Sequence, residues 1–349
     1  MSTRSSALLV IAGGVVLALL ILAGALHPGD SSAEPISAAD DAKVAANGAP
    51  RDEAAAHAEA VSDSASAAKP AADGKQPFSP PRISAMPKGK FGDMVKLGHD
   101  IFTHTQKFAG QYVGNTLSCS NCHLDAGRLA NSAPLWAAWV SYPAYRSKNG
   151  HVNTFAERLQ GCFRFSMNGK APPLGGDTLL ALESYSYWMA KGLPTGTKIK
   201  GRGYPKLPKP AQVPDYARGK IVYAQHCALC HQPDGRGLKV AGQAQFPALW
   251  GPDSFNWGAG MHSLKNASAF IKANMPLGLG NSLSDQQAWD VAMYMDSHER
   301  PQDPRYTGSV AATRKKFHDS PMSMYGQTVN GHLLGQGSTP SGGSVGSQR

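Results

Sequence analysis

Cys119-Ser120-Asn121-Cys122-His123 and Cys227-Ala228-Leu229-Cys230-His231 are two copies of one pentad, Cys-x-x-Cys-His, in a chain of 349 residues. Each reads as a covalent c-type haem site, because two thiols can add to the vinyl groups while the adjoining imidazole binds the iron. A zinc knuckle is the competing reading. A His directly after the second Cys suits haem attachment better. The pentads use four of the five cysteines and leave Cys162 without a partner, so the sequence holds no disulfide framework.

Haem attachment of this kind belongs to the outer face of a bacterial inner membrane, so an export segment is expected. After Met1-Ser2-Thr3-Arg4 comes an apolar run from Ala7 to Leu26, longer than the usual cleaved core of about 7–15 residues and just able to span a bilayer. Residues 1–28 are therefore read as a signal peptide or a membrane anchor. The body is expected in the periplasm, tethered through residues 7–26 in the second case. Residues 29–88 are rich in Ala, Ser and Pro, with almost no aromatic side chain before Phe78. Such a stretch buries too little apolar surface to offset its ordering entropy and reads as a disordered linker. The formal charge is +10. Two haems would bring about four propionates, leaving a modest excess that suits anionic substrates or an acidic electron acceptor. Nucleic acid is excluded as a partner, since the basic residues are scattered and the chain is exported.

The remaining length divides into residues 89–203 and 204–311, each about the size of a small domain. Gly98-His99-Asp100-Ile101-Phe102 and Gly219-Lys220-Ile221-Val222-Tyr223 repeat Gly-x-x-aliphatic-aromatic ahead of their pentads. Each half closes with another helical pattern. Asp177 can cap one bearing Leu179, Leu182, Tyr185, Trp188 and Met189 and stopped by Gly192; Ser284 with Gln287 makes a capping box before Ala288, Val291, Ala292 and Met295. No stretch alternates as a large sheet requires, so the fold is expected to be mainly α. Gly203 to Pro214 reads as the connection between halves. Residues 312–349 read as an irregular tail, mobile after about residue 331.

Helix, pentad, irregular loop, closing helix is an order that resembles a class I cytochrome c domain, twice over: two tandem domains, each with one covalent haem. The sixth ligands then decide function. For the second haem, Met275 in Asn274-Met275-Pro276 leads, in a loop between pentad and closing helix, with Met261, Met293 and Met295 as competitors. For the first, Met167 and Cys162 both lie on a segment opened by a Thr154/Glu157 capping box and closed by Asn168-Gly169, expected to be one helix from Thr154 to Asn168. On it Arg158, Cys162 and Ser166 fall at i, i+4 and i+8, in one row. A lone thiol is ordinarily an inert core residue. Here it is the one spare thiol of an exported chain, and a guanidinium one turn away is the partner an anionic sulfur needs.

At these residues the chain resembles the thiosulfate dehydrogenases, dihaem cytochromes c that couple two thiosulfates into tetrathionate. The resemblance spans roughly residues 91–327. It rests on Cys119 to Leu124, on Gly161-Cys162-Phe163-Arg164-Phe165-Ser166-Met167-Asn168-Gly169, on Asn274-Met275-Pro276 and on Pro321-Met322-Ser323-Met324-Tyr325-Gly326-Gln327. It implies two covalent haems c and first-haem ligands His123 and Cys162. For the second haem the ligands expected are His231 and Met275. It also implies a pocket for thiosulfate and tetrathionate carrying Arg158 and Ser166, with Arg146 a looser match. Electrons would leave to an external acceptor such as a small cytochrome or another high-potential redox protein. Many members have Lys just before the distal Met, where this chain has Asn274. Two rival readings use the same residues: a plain electron carrier with Met167 on the first iron, and a sulfur-oxidising cytochrome whose Cys162 carries a persulfide for a partner.

Overall fold

Two helix crossings organise the described residues, which are 77–196, 198–240 and 243–338 of the computed structural model. The principal helices are α1 (Gly89–Thr103), α2 (Phe155–Gly161), α3 (Asp177–Met189), α4 (Tyr216–His226), α5 (Leu264–Asn274), α6 (Asp285–Asp296) and α7 (Val310–Phe317). Strands are confined to two-stranded antiparallel pairs, among them β1 (Ala144–Arg146) with β2 (His151–Asn153) and β3 (Leu238–Val240) with β4 (Gln243–Phe246). The described structure is therefore mainly α. The expected leader or anchor at 1–28, most of the linker 29–88 and everything after 338 lie outside the described residues. Among the described residues, no helix is long and apolar enough to cross a membrane.

In the first half α1 crosses α3 at Gly98, where an added Cβ would stand 2.1 Å from the Ala181 carbonyl oxygen and 2.7 Å from Tyr185 Cβ. In the second, α4 crosses α6 at Gly219, where it would stand 2.0 Å from the Asp290 carbonyl oxygen and 2.8 Å from Tyr294 Cβ. The same packing device recurs because only glycine lets the two backbones approach this closely. The aliphatic and aromatic residues that follow each glycine, Ile101 and Phe102, Val222 and Tyr223, are buried. Two hydrophobic cores result. One contains Val95, Leu135, Trp136, Phe163, Leu179 and Met189, and the other Trp257, Leu264, Ala288, Val291 and Met295. Met261 packs against both.

The structure corrects several expectations. Asp177 is the first residue of α3 and Gly176 its N-cap, so no side chain caps that helix. The end of the expected linker is packed: Phe78 stands edge-on to Trp136 at 5.3 Å, and Ile83 and Met86 lie against the first core. The connection after Gly203 is laid along the second half, with Tyr204 and Leu207 on its core and the Trp289 indole donating to the Pro208 carbonyl at 3.1 Å. The tail expected to be irregular contains α7 and buries Tyr325 and Leu334. Nor is it loose over residues 331–338. The backbone N–H groups of Gly335, Gln336 and Gly337 all donate to the Glu299 carboxylate. Gly335 and Gly337 hold positive φ there, a conformation that composition alone reads as flexibility.

Gly98→Ala and Gly219→Ala each force backbone apart at a crossing and are expected to lower stability by about 2–3 kcal/mol. Thermal unfolding of the haem-loaded protein checks this, and an unshifted midpoint for either variant would contradict the crossing geometry.

Candidate active site

The Thr154/Glu157 capping box forms as its residue types require: the Thr154 hydroxyl accepts from the Glu157 N–H at 3.2 Å and the Glu157 carboxylate from the Thr154 N–H at 2.7 Å. The expected single helix to Asn168 does not follow. α2 ends at Gly161 and the chain continues as a π turn over Cys162–Ser166, closed by the Met167 N–H donating to the Cys162 carbonyl at 3.0 Å. A widened turn changes which side chains stack. Arg158 and Cys162 keep their helical neighbourhood, and Arg158 Nη1 stands 2.8 Å from Cys162 Sγ. Ser166 closes the π turn. Its carbonyl accepts from the Asn115 amide at 2.8 Å, and among the described residues its hydroxyl has no hydrogen-bond partner.

The π turn is held from across the molecule. The Asn256 amide donates to the Arg164 carbonyl and to Asn168 Oδ1, both at 3.0 Å, while the Asn256 N–H donates to the Phe165 carbonyl at 3.3 Å. Asn115 also reaches the Ser254 carbonyl, at 3.1 Å. Residues 254–258 of the second half thus fix the backbone that carries Cys162. Phe163 beside it is buried, whereas Cys162 itself is half-buried. Met167 sits in the first core at 2 % exposure.

Both pentads present the imidazole in the same way. His123 Nδ1 donates to the Ala133 carbonyl at 2.7 Å and His231 Nδ1 to the Pro247 carbonyl at 2.9 Å, which leaves Nε2 of each as the free lone pair. Burial pulls His123 down to about 4, and the Arg158 charge pushes the same way, so this imidazole is neutral as a metal ligand must be. Burial likewise pushes Cys119 up to about 12, with the Cys162 sulfur adding to the rise. Arg158 is therefore felt electrostatically by the imidazole of the first pentad, and Cys162 by its first thiol. All four pentad cysteines are free of disulfides. Among the described residues no three His, Cys, Asp or Glu side chains converge as a zinc cage requires. Neutral thiols and an oriented neutral imidazole fit thioether-linked haem.

Arg146 lies at the end of β1, and its Nη1 donates to the Tyr142 hydroxyl at 2.5 Å. Tyr142 in turn raises Arg158, after the larger effect of Cys162. Met275 follows α5 directly, donating its N–H to the Ile271 carbonyl at 2.8 Å, and packs on the second core. The buried Asn274 amide is spent on the Phe270 and Asn131 carbonyls. Sequence reasoning missed Tyr204, read as part of a connection. Burial pushes its phenol up, and its neighbours Cys122, Arg158 and Cys162 act on it too. Asn256 was missed as well. A lone Asn in a Gly-rich loop gives no signal of its cross-molecule bonds.

Residues 214–295 match the protein family described as cytochrome c oxidase, cbb3-type, subunit III. A thiosulfate dehydrogenase from Thiomonas intermedia (strain K12) is 66% identical over 263 residues, covering 75% of this chain and 84% of that protein. One from Stutzerimonas stutzeri (strain A1501) is 55% identical over 266 residues, covering 76% and 87%. Among solved structures, the thiosulfate dehydrogenase TsdBA from Marichromatium purpuratum in its as-isolated form superposes with a TM-score of 0.74 at 52% identity. That match covers 76% of this chain and 59% of the solved one, so the chain spans rather less than two thirds of that protein.

Asn256→Ala strands the Arg164 carbonyl and frees the π turn. It is expected to cost about 2–3 kcal/mol in thermal unfolding and to alter the visible spectrum of the first haem. An unchanged spectrum and midpoint would remove Asn256 from the site.

Proposed function

Because this chain belongs to the thiosulfate dehydrogenase family, we propose that it joins two thiosulfates into tetrathionate at a first haem held by His123 and Cys162. The proposal includes two tandem cytochrome c domains, a second haem held by His231 and Met275, a periplasmic location and delivery of electrons to an external acceptor such as a small cytochrome. The observation that carries it is the 2.8 Å approach of Arg158 Nη1 to Cys162 Sγ. A guanidinium so placed stabilises an anionic sulfur ligand and offers its remaining donors to an anion beside it.

The chemistry balances without a proton. Two thiosulfate dianions carry four negative charges; joining their terminal sulfurs releases two electrons and leaves a tetrathionate dianion. When bound, the two haems supply one-electron acceptors, and an anionic sulfur donor favours the ferric state where a thioether favours the ferrous one. What this chain must do is hold the anions together. Two dianions at 4 Å repel by roughly 16 kcal/mol at an effective dielectric near 20. Arg158 and Arg146 offset part of that, and Tyr142 ties Arg146 into the wall. Ser166 is assigned to substrate contact through its uncommitted hydroxyl. The same arrangement serves the reverse reduction.

The electron-carrier reading requires Met167, which lies in the first core, at the iron instead of Cys162. The persulfide-carrier reading requires a partner protein for turnover. Cys162→Ala is expected to abolish reduction of the haems by thiosulfate and their reoxidation by tetrathionate, by at least about a thousandfold, with both haems still attached. A reduced-minus-oxidised titration of the purified single chain checks this. Undiminished turnover would refute the role of Cys162, and a wild-type chain inert without a partner would favour the persulfide carrier.

A further inference from the structure

Lys148 lies on the turn between β1 and β2, two residues beyond Arg146, and is half-buried. Its ammonium stands 3.6 Å from the centre of the Phe165 ring, in the π turn three residues after Cys162, and donates to the Gly258 carbonyl of the second half. The Arg305 guanidinium lies 5.1 Å from the same ring. One carboxylate, Asp303, faces this group, and it is already committed: Arg305 donates to it twice, at 2.7 and 3.0 Å, and His318 Nε2 stands 2.9 Å away. Arg305 and Lys148 thus share one acidic partner, and the charges of Arg158 and Arg146 also reach Lys148. Arg158 is engaged with Cys162 and Arg146 with Tyr142. Lys148 has one of three ammonium donors engaged by Gly258, leaving two.

From this geometry we infer that Lys148 is a further anion-binding residue of the substrate site, holding the sulfonate end of one thiosulfate while Arg158 serves the other beside Cys162. The inference rests on the thiosulfate reading above. Lys148 supplies the third cation that bringing two dianions together calls for. Its seat on Phe165 and Gly258 places it on the same π turn as Cys162, so the two substrate positions share one support.

The protonation of Lys148 agrees with this role. Burial, then the charges of Arg305, Arg158 and Arg146, pull the amine down to about 7, with Asp303 opposing. Anion binding favours the protonated form. Thiosulfate should therefore bind best below neutrality and lose affinity as rising pH removes that proton. Of the other groups facing Lys148, the arginines stay charged and Asp303 stays ionised. Burial holds His262 at about 3, neutral throughout this window, and pulls His318 below its ordinary value.

Steady-state kinetics of the haem-loaded full chain test the inference between pH 6 and pH 9. Lys148→Met is expected to raise KM for thiosulfate about tenfold or more, with kcat reduced far less. Lys148→Arg, whose charge cannot be titrated, is expected to keep a low KM and flatten its rise above pH 7. A role confined to bracing the two halves would lower the thermal midpoint in Lys148→Met and leave KM unmoved. That outcome, or a wild-type pH profile in Lys148→Arg, overturns the inference while Cys162-dependent turnover still upholds the thiosulfate reading. Absence of Cys162-dependent turnover in the wild type overturns both.

Discussion

The contact between Arg158 and Cys162 spans the point where the helix carrying them changes pitch, at residue 162. A regular α-helix through Asn168 would have aligned Arg158, Cys162 and Ser166 along one row. The π turn keeps the first pair together, while its own carbonyls accept from donors on Asn115 and Asn256. A buried carbonyl without such a donor would cost about 1–3 kcal/mol. The widened turn therefore persists only because the other half of the molecule satisfies it, and the sulfur is placed by tertiary structure rather than local propensity.

This dependence links the two halves in a specific way. Each is built on the same glycine crossing, and each orients its pentad imidazole through a backbone carbonyl. They differ in the residue proposed as the second ligand. In the second half that is Met275, at the end of a regular helix and packed on the core. In the first it is Cys162, where a π turn begins that residues 254–258 support. Lys148 and Asn256 bind the same stretch, so substrate site and interface between halves are one structure.

What the sequence shows and what it hides follow from locality. The pentads, both capping boxes and the repeated Gly-x-x-aliphatic-aromatic signal are short-range patterns, and the structure contains each of them. Arg158 with Cys162 was legible because i to i+4 survives the change of pitch. The π turn after Cys162 was not legible, because it is held by Asn256, some ninety residues away in sequence, as the Asn256 to Arg164 bond records. Lys148 was invisible for a similar reason. A lysine in a hairpin turn reads as solvated until Gly258 and Phe165 are brought against it. The tail's glycines read as mobility, yet two of them adopt the left-handed backbone that lets successive N–H groups converge on Glu299.

Low-temperature electron paramagnetic resonance of the fully oxidised protein, compared with Cys162→Ser, addresses the central assignment most directly. The account predicts two low-spin ferric species, one with the narrow anisotropy of imidazole and thiolate ligation that disappears in the variant, the other unaltered. Identical spectra from the two proteins would mean that the sulfur of residue 162 binds neither iron, and the first site would then need another ligand.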